Sequence, residues 1–392
     1  MLLTGSQVLM QCLLEQGGDT VFGYPGGTII DVYDALVDYP QIKHYLSSHE
    51  QGAGHAADGY ARSTGKVGVC LATSGPGCSN LVSAIGTAYM DSSPVVFITC
   101  NVPERLLGKG AFQEVDITGI TMPITKWSYM VRHAKCLADV LREAFAIARA
   151  GRPGPVLIDI AKNAAEETVE YEFLPRNLHH TTGRLKRLLE RRETQDDLKP
   201  SEPAMDDIDT LVQMIKASKK PMVISGGGVV RGRAHMELRD FVGKIDSPVA
   251  VTLMGAGSIS GIHPLSTGMV GMHGSQASNQ AVAECDLLIA IGCRFSDRVA
   301  LNPETFAAQA KIVHVDIDRS EINKNVMTDH HVVGDAAQVL RLLIDRLPQL
   351  DHSAWKDVVF SYPTETEYDE GGDTLTPKQI TESSPVSAPR IP

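Results

Sequence analysis

The chain has 392 residues, 43% of them hydrophobic and 21% charged, with a net charge of −11. A single hydrophobic core stops growing near about 250–300 residues, so two or three globular domains are expected. The acidic balance argues against a nucleic-acid surface, and no apolar run reaches the roughly 18 residues of a membrane span. The opening "LTGSQVLMQCLLEQGG" reads as a helix and not as a signal peptide, because Thr4 and Gln7 have capping-box spacing. From Thr20 to Lys162 short apolar runs alternate with helical segments. "DTVFGYPGG" is a strand ending in a Pro-Gly-Gly turn, "IKHYL" a short strand, and "KVGVCLATSGPG" a strand with a glycine-rich exit. "PVVFITC" and "GPVLIDI" are further strands, with a long helix near "LADVLREAFAIARAG" between them. This alternation predicts βαβ units on a parallel sheet, a doubly wound α/β domain over residues 1–163.

Residues 164–204 are charged and broken by Pro175, Pro200 and Pro203, which predicts a linker. Its basic run "GRLKRLLERR" (Gly183–Arg192) has leucines at helical spacing and reads as a solvated helix. A second α/β block fills residues 205–350, with strands "PMVISGGG", "PVAVTLMG", "CDLLIAIGC" and "KIVHVDID" and the closing helix "AAQVLRLLIDRL". From 351 to 392 the pattern stops, and a Pro, Ser, Thr and acid-rich tail is expected to be irregular. The seven cysteines form no CxxC pair and mostly lie in apolar runs, which fits a reducing cytoplasm.

In parallel sheets ligands sit at the carboxyl ends of the strands. Three loops at such ends stand out: Tyr24-Pro25-Gly26-Gly27, Ser48-His49-Glu50 and Thr73-Ser74-Gly75-Pro76-Gly77. Glycines there let the backbone approach a flat ligand, and Glu50 is the one carboxylate among them. No GxGxxG fingerprint, Walker loop, GxSxG elbow or HExxH occurs, so hydride transfer, phosphoryl transfer and triad hydrolysis lack their parts. His133, His179 and His180 have no metal-ligand spacing.

"GYPGG", "SHEQGAGHAADGYARSTG", "CLATSGPGCSNLV", "AFQEVDITGITMPITK" and "GRPGPVLIDIAKNA" together resemble the pyrimidine-binding domain of thiamine-diphosphate enzymes of the acetolactate synthase family. "ISGGGVVRG", "VTLMGAG", "GMVGMHGS", "GCRFSDRV", "HVDID" and "VVGDA" resemble that family's FAD-binding middle domain. The resemblance implies that Glu50 hydrogen-bonds the aminopyrimidine of thiamine diphosphate and shares a proton with a ring nitrogen, so that the thiazolium C2 can lose its own. The cofactor then attacks pyruvate and holds the electrons left by CO2 loss. A second 2-keto acid, pyruvate or 2-oxobutyrate, captures the carbon to give an acetohydroxy acid for branched-chain amino-acid biosynthesis.

By the same resemblance Pro25, Gly26, Thr73, Pro76 and Asn80 line the pyrimidine pocket, Gln113 lies near the reacting carbons, and Lys162 stands at the substrate entrance. Arg152, Gly226, Gly227, Gly228, Thr252, Leu253, Met254, Gly271, Met272, His273, Gly274, Gly292, Cys293, Arg294, Arg298, Asp316 and Asp335 match FAD-binding positions, the flavin being structural. The family's thiamine sites lie between two chains, which implies a homodimer or higher oligomer, with a regulatory small subunit as a further partner. Ser296, Cys78 and Ser79 depart mildly from the family pattern. The larger departure is the third domain, which holds Mg²⁺ and the diphosphate through a Gly-Asp-Gly…Asn run. "LTPKQI" (Leu375–Ile380) resembles the lead into it, but the run does not occur. The expectation is therefore a chain without metal ligands, inactive by itself. Two alternatives stay open: a non-catalytic FAD-binding or dimer-forming module, and another thiamine-diphosphate oxidase or decarboxylase. "AFQEVD" and "GMHGS" favour the synthase over those relatives.

Overall fold

The expected capping box forms. In the computed structural model, which describes residues 1–174 and 202–362, the Thr4 hydroxyl accepts from the Gln7 amide at 3.3 Å. Gln7 Oε1 accepts from the Thr4 amide at 3.0 Å, and α1 (Gly5–Glu15) begins there. Thr4→Ala removes one of these bonds, and urea unfolding is expected to report a loss of about 1 kcal/mol. An unchanged midpoint would mean that the cap adds nothing to stability.

The described chain divides into two units, Met1–Glu202 and Pro203–Pro392. The first holds β2 (Thr20–Tyr24), β3 (Lys43–Leu46), β4 (Gly68–Ala72), β5 (Val95–Asn101), β6 (Trp127–Val131) and β7 (Val156–Ala161). They form one parallel sheet in the order β3-β2-β4-β5-β7-β6. Strands β4, β5 and β7 are buried along their whole length, because helices cover both faces and each strand is apolar on both sides. On one face Leu9, Leu13, Val32, Leu141 and Phe145, from α1, α2 (Ile30–Leu36) and α7 (Leu137–Arg149), pack on Val69, Leu71 and Ile98. On the other, Ala53, Ala57, Leu81 and Ile85 pack on Cys70, Ala72 and Phe97. These come from α3 (Glu50–Thr64), the segment after α4 (Pro76–Ser79), and α5 (Val82–Met90). The short α6 (Ile117–Thr121) contributes Ile117 to the same core.

The predicted linker does not start at Ala164. Lys162–Glu166 forms α8, with Ala164 and Ala165 buried, and β8 (Thr168–Glu170) pairs antiparallel with β1 (Leu2–Thr4). Tyr171 is buried and donates its hydroxyl proton to the Glu15 carboxylate, which also receives the Leu174 amide at 2.9 Å. Arg142 completes the cluster, 2.8 Å from Glu15 Oε1, and holds the Glu15 carboxyl below its usual range against the opposing effect of burial. The charge of "AAEETVEYEF" therefore belongs to an edge ribbon whose few apolar residues anchor it. Residues 175–201, including the basic run Gly183–Arg192, lie outside the described residues.

The second unit contains α9 (Met205–Ala217), α10 (Gly227–Arg231), α11 (His235–Ile245), α12 (Gln276–Glu284) and α13 (Ala336–Arg346). Its strands are β9 (Pro221–Ser225), β10 (Val249–Val251), β11 (Ser266–Met269), β12 (Leu287–Ile291), β13 (Lys311–Asp316) and β14 (His330–Val333). All pair in parallel, in the order β11-β10-β9-β12-β13-β14. Counted from β9, that is the 3-2-1-4-5-6 order of doubly wound dinucleotide-binding sheets, with the switch point between β9 and β12. The predicted tail is corrected at its start. Ser353–Ser361 forms α14, whose Trp355 and Val359 are one turn apart and buried, with Trp355 Nε1 donating to the Pro221 carbonyl at 3.0 Å. Residues 363–392 lie outside the described residues. Among the described residues no helix is long and apolar enough to cross a membrane.

Candidate functional site

In the first unit the chain leaves β2 to add β3 on one side and then returns to add β4 on the other, so the switch point lies between β2 and β4. The loops leaving those two strands meet there. A Cβ on Gly26 would lie 2.4 Å from the Thr73 side chain, and one on Gly77 would lie 2.6 Å from it, so only glycine allows this contact. Thr28, which the sequence reading passed over, ties the strand ends together. Its hydroxyl donates to the Cys100 carbonyl at 2.7 Å and lies 2.9 Å from Thr73 Oγ1. A hydroxyl directly after "PGG" was the available signal.

Glu50 is the first residue of α3 and only 8% exposed. His49 precedes it in extended backbone and caps the helix by accepting from the Gln51 amide. Asn80, at the end of α4, donates to Glu50 Oε2 at 2.9 Å, while Oε1 faces Gly77, where a Cβ would come within 3.2 Å. Pro76 starts α4 after Gly75, whose φ of +63° suits glycine. Thus Gly26, Thr73, Pro76, Asn80 and Glu50 come together on one rim, with Pro25 beside Gly26.

Gln113 reaches the same rim from the loop after β5. Its own φ is +60°, and it packs so closely over Gly75 that a Cβ there would lie 2.7 Å from Gln113 Cβ. The loop is clasped by Glu114, whose carboxylate accepts from the amides of Ala111, at 2.8 Å, and Gly108. Those backbone bonds hold the Glu114 carboxyl below its ordinary range. Lys162 follows β7 on the α2 side, with Nζ 3.9 Å from Asp31 and 3.8 Å from Glu166. Arg152 stands apart. It precedes β7, at the amino-terminal edge of the sheet, and its Nε donates to Ser92 Oγ at 2.8 Å.

Asp159 was not singled out by sequence, though an acid inside the apolar run "PVLIDIA" was a visible signal. It is 1% exposed and accepts from Thr99 Oγ1 at 2.8 Å and Asn101 Nδ2 at 2.7 Å. Burial pushes its carboxyl up to about 6, against the opposite pull of those two donors.

In the second unit the other flavin candidates lie along the carboxyl edge of the sheet. Gly226–Gly228 follow β9 and Gly292–Arg294 follow β12, on the two sides of the switch point. The Gly228 amide donates to the Gly292 carbonyl at 3.0 Å, and a Cβ on Gly228 would lie 2.6 Å from Gly292 Cα. Thr252 caps the turn Leu253–Gly255, accepting from the Gly255 amide at 3.1 Å, and Met254 packs against Gly227. Gly271 has φ of +102°, and Asn279, missed by the sequence reading, brackets it with two hydrogen bonds of 2.9 and 3.0 Å. Met272 and His273 are exposed beside Gly274, and Arg298 reaches back to Met272, with Nη1 3.8 Å from its sulfur. Cys293 is buried, and burial pushes its thiol up to about 12. Asp316 accepts from the Asp318 amide and Asp335 caps α13, so both carboxylates already have a structural task. Among the described residues no group of His, Cys, Asp and Glu could hold a metal ion.

Two family descriptions match the chain: "Thiamine pyrophosphate enzyme, N-terminal TPP binding domain" over residues 3–120, and "Thiamine pyrophosphate enzyme, central domain" over residues 208–343. The chain is similar to a probable acetolactate synthase large subunit of Methanocaldococcus jannaschii, 43% identical over 91% of this chain and 59% of that protein. It is 46% identical to an acetolactate synthase of Arthrospira platensis, over 88% of this chain and 58% of the relative. With the Corynebacterium glutamicum large subunit the identity is 42%, over 97% of this chain and 60% of the relative. The chain thus spans less than two thirds of the length of the curated relatives it matches.

Proposed function

The chain belongs to the thiamine pyrophosphate enzyme family and is homologous to acetolactate synthase large subunits, and from that premise we propose that it forms the pyrimidine-binding and flavin-binding parts of an acetolactate synthase-type carboligase. The observation that carries the reading is Glu50, a nearly buried carboxylate at a helix start, facing a glycine-lined cradle at a sheet's switch point. Thiamine diphosphate, when bound, supplies the carbon nucleophile and the electron sink for decarboxylating a 2-keto acid.

The residues of the chain set up that chemistry. Gly26, Gly77 and Thr73 offer a close-packed backbone surface to the pyrimidine, with Pro25 and Pro76 as rigid edges. Asn80 holds Glu50 Oε2, leaving Oε1 to hold and pass a proton at a ring nitrogen. Gln113 orients the keto acid from its loop, and Lys162 attracts the carboxylates of pyruvate and 2-oxobutyrate at the rim. FAD is assigned to the second unit's carboxyl edge, where glycines at 226–228, 271, 274 and 292 pack so closely on neighbouring backbone that no side chain fills the crevice at the switch point. Arg294 and Arg298 supply charge there. The partners assigned are a second copy of the chain and a regulatory small subunit, and the compartment is the cytoplasm.

Two measurements test this. The chain completed with the part of its relatives that it does not span, once it binds thiamine diphosphate, is expected to convert pyruvate to acetolactate and CO2; release of CO2 with acetaldehyde and no acetolactate would replace the reading with a decarboxylase. FAD titration by fluorescence quenching is expected to saturate with Kd below about 100 μM, or −5.5 kcal/mol. Gly228→Ala, which forces backbone apart at the switch point, is expected to weaken FAD by about tenfold or more. An undiminished affinity would move the flavin away from that crevice.

A further inference from the structure

We propose that Asp159 and Asn101 are positioning residues that pin the Gln113 loop against the Gly75 turn. The importance of that loop rests on the functional reading above; the pin itself is read from geometry. Asp159 on β7 and Asn101 at the end of β5 face the same side of the sheet as α3 and α5. Asn101 Nδ2 donates to Asp159 Oδ2 at 2.7 Å and to the Val115 carbonyl at 3.0 Å. Its Oδ1 accepts from the Val102 amide at 2.8 Å, which leaves the side chain a single orientation. Thr99 holds the other carboxylate oxygen of Asp159 at 2.8 Å. Every polar atom of the pair is thereby committed, and the bond to Val115 is the pair's one hydrogen bond to the loop.

Val115 lies two residues from Gln113; the Glu104 amide ties the start of the loop to Asn163 Oδ1 at 2.8 Å, but the other bonds of residues 108–117 are local. Glu114 clasps Gly108 and Ala111, the Glu114 amide donates to Ala111, and the Ile117 amide donates to Val115. Such local bonds hold the loop's shape but not its place. The Asn101–Val115 bond crosses from the core of the sheet to the loop, and a carboxylate buried behind Asn101 makes the amide a stronger donor than a neutral acceptor would. Gln113 then has little freedom, since its backbone already lies against Gly75. A buried charge in the middle of a strand is a poor choice for stability alone, and its bonding pattern leads to the loop.

The test is amide hydrogen exchange of the full chain, comparing loop residues 108–117 with β5 and β7. Asn101→Ala is expected to speed loop exchange by about tenfold, the effect of losing one buried bond, with a much smaller change in the strands. The exchange of partners Asp159→Asn with Asn101→Asp separates a pin from a merely structural pair. In that double variant Asn at 159 donates to Asp at 101 and still accepts from Thr99, and Asp at 101 still accepts from Val102, but nothing donates to Val115. Thermal stability is expected to recover toward wild type while the loop stays fast. Loop protection restored along with stability, or an unchanged loop in Asn101→Ala, would overturn the proposal. Exchange needs no turnover, so the pin is judged on this chain alone, whereas the functional reading falls separately if a thiamine-loaded preparation releases acetaldehyde without acetolactate.

Discussion

Glu50→Gln is expected to slow exchange of the C2 proton of bound thiamine diphosphate by about 10²- to 10⁴-fold, the range contributed by a well-placed general acid–base group. The substitution keeps the side chain's size and its contact with Asn80 Nδ2, since an amide oxygen also accepts a hydrogen bond. What it removes is a titratable oxygen where the cradle is open. Cofactor affinity should therefore change far less than the exchange rate, which hydrogen–deuterium exchange and acid quench would measure in a preparation that binds thiamine diphosphate. Exchange within twofold of wild type would take Glu50 out of the proton path. Weaker binding without a slower bound-state exchange would make Glu50 a purely structural residue of the rim.

Asp159→Asn is expected to alter how stability depends on pH. The Asp159 carboxyl is pushed up to about 6 from an ordinary value of 3.8, first by burial and further by the nearby charge of Asp116. Between those values the native state binds a proton that the unfolded chain has released, so stability from this group falls as pH rises. Its contribution is fully present below pH 3.8 and gone above about 6. With 1.36 kcal/mol per unit, wild type should lose about 3 kcal/mol relative to Asp159→Asn between those limits. The constant cost of fitting an amide among Thr99 and Asn101 drops out of that difference. Urea unfolding read through Trp127, with Trp355 replaced by phenylalanine to silence the second unit, gives the curves. Parallel pH curves for the two proteins would show that Asp159 titrates normally despite its burial.

The strands that form the centre of each sheet were readable because both of their faces are buried. "VCLA", "VVFITC", "VLIDIA" and "LLIAI" carry apolar residues without alternation, as parallel strands between helix layers must. Of the four strands at the edges of the two six-stranded sheets, β3 was read as "IKHYL", but β6, β11 and β14 were not. β11 is "STGM", with Gly268 at φ of +96°, and β14 is "HHVV", so neither has enough apolar length to stand out. The ribbon β1–β8 hid for another reason: its pairing partners are at opposite ends of the unit, and no local pattern announces that Leu2 lies against Glu170. The rim followed from strand ends and glycines, and the corner position of Glu50 from the change of periodicity around it. Thr28, Asn279 and Asp159 were missed because their roles arise from tertiary hydrogen bonds, which sequence spacing does not encode.

The Glu15 cluster sets a schedule for the first unit as it leaves the ribosome. α1 emerges early, with Leu9 and Leu13 on one face and a carboxylate that must end without solvent around it. Its guanidinium partner is made 127 residues later and its phenol partner 156 residues later. At about 5–20 residues per second that is a wait of roughly 6–30 s. Until Tyr171 has cleared the exit tunnel, the last ribbon cannot close and the apolar face of α1 has no finished seat. A nascent chain stalled short of that tyrosine is a ready client for chaperones, and removing the Arg142 or Tyr171 partner of Glu15 would prolong this exposure during synthesis.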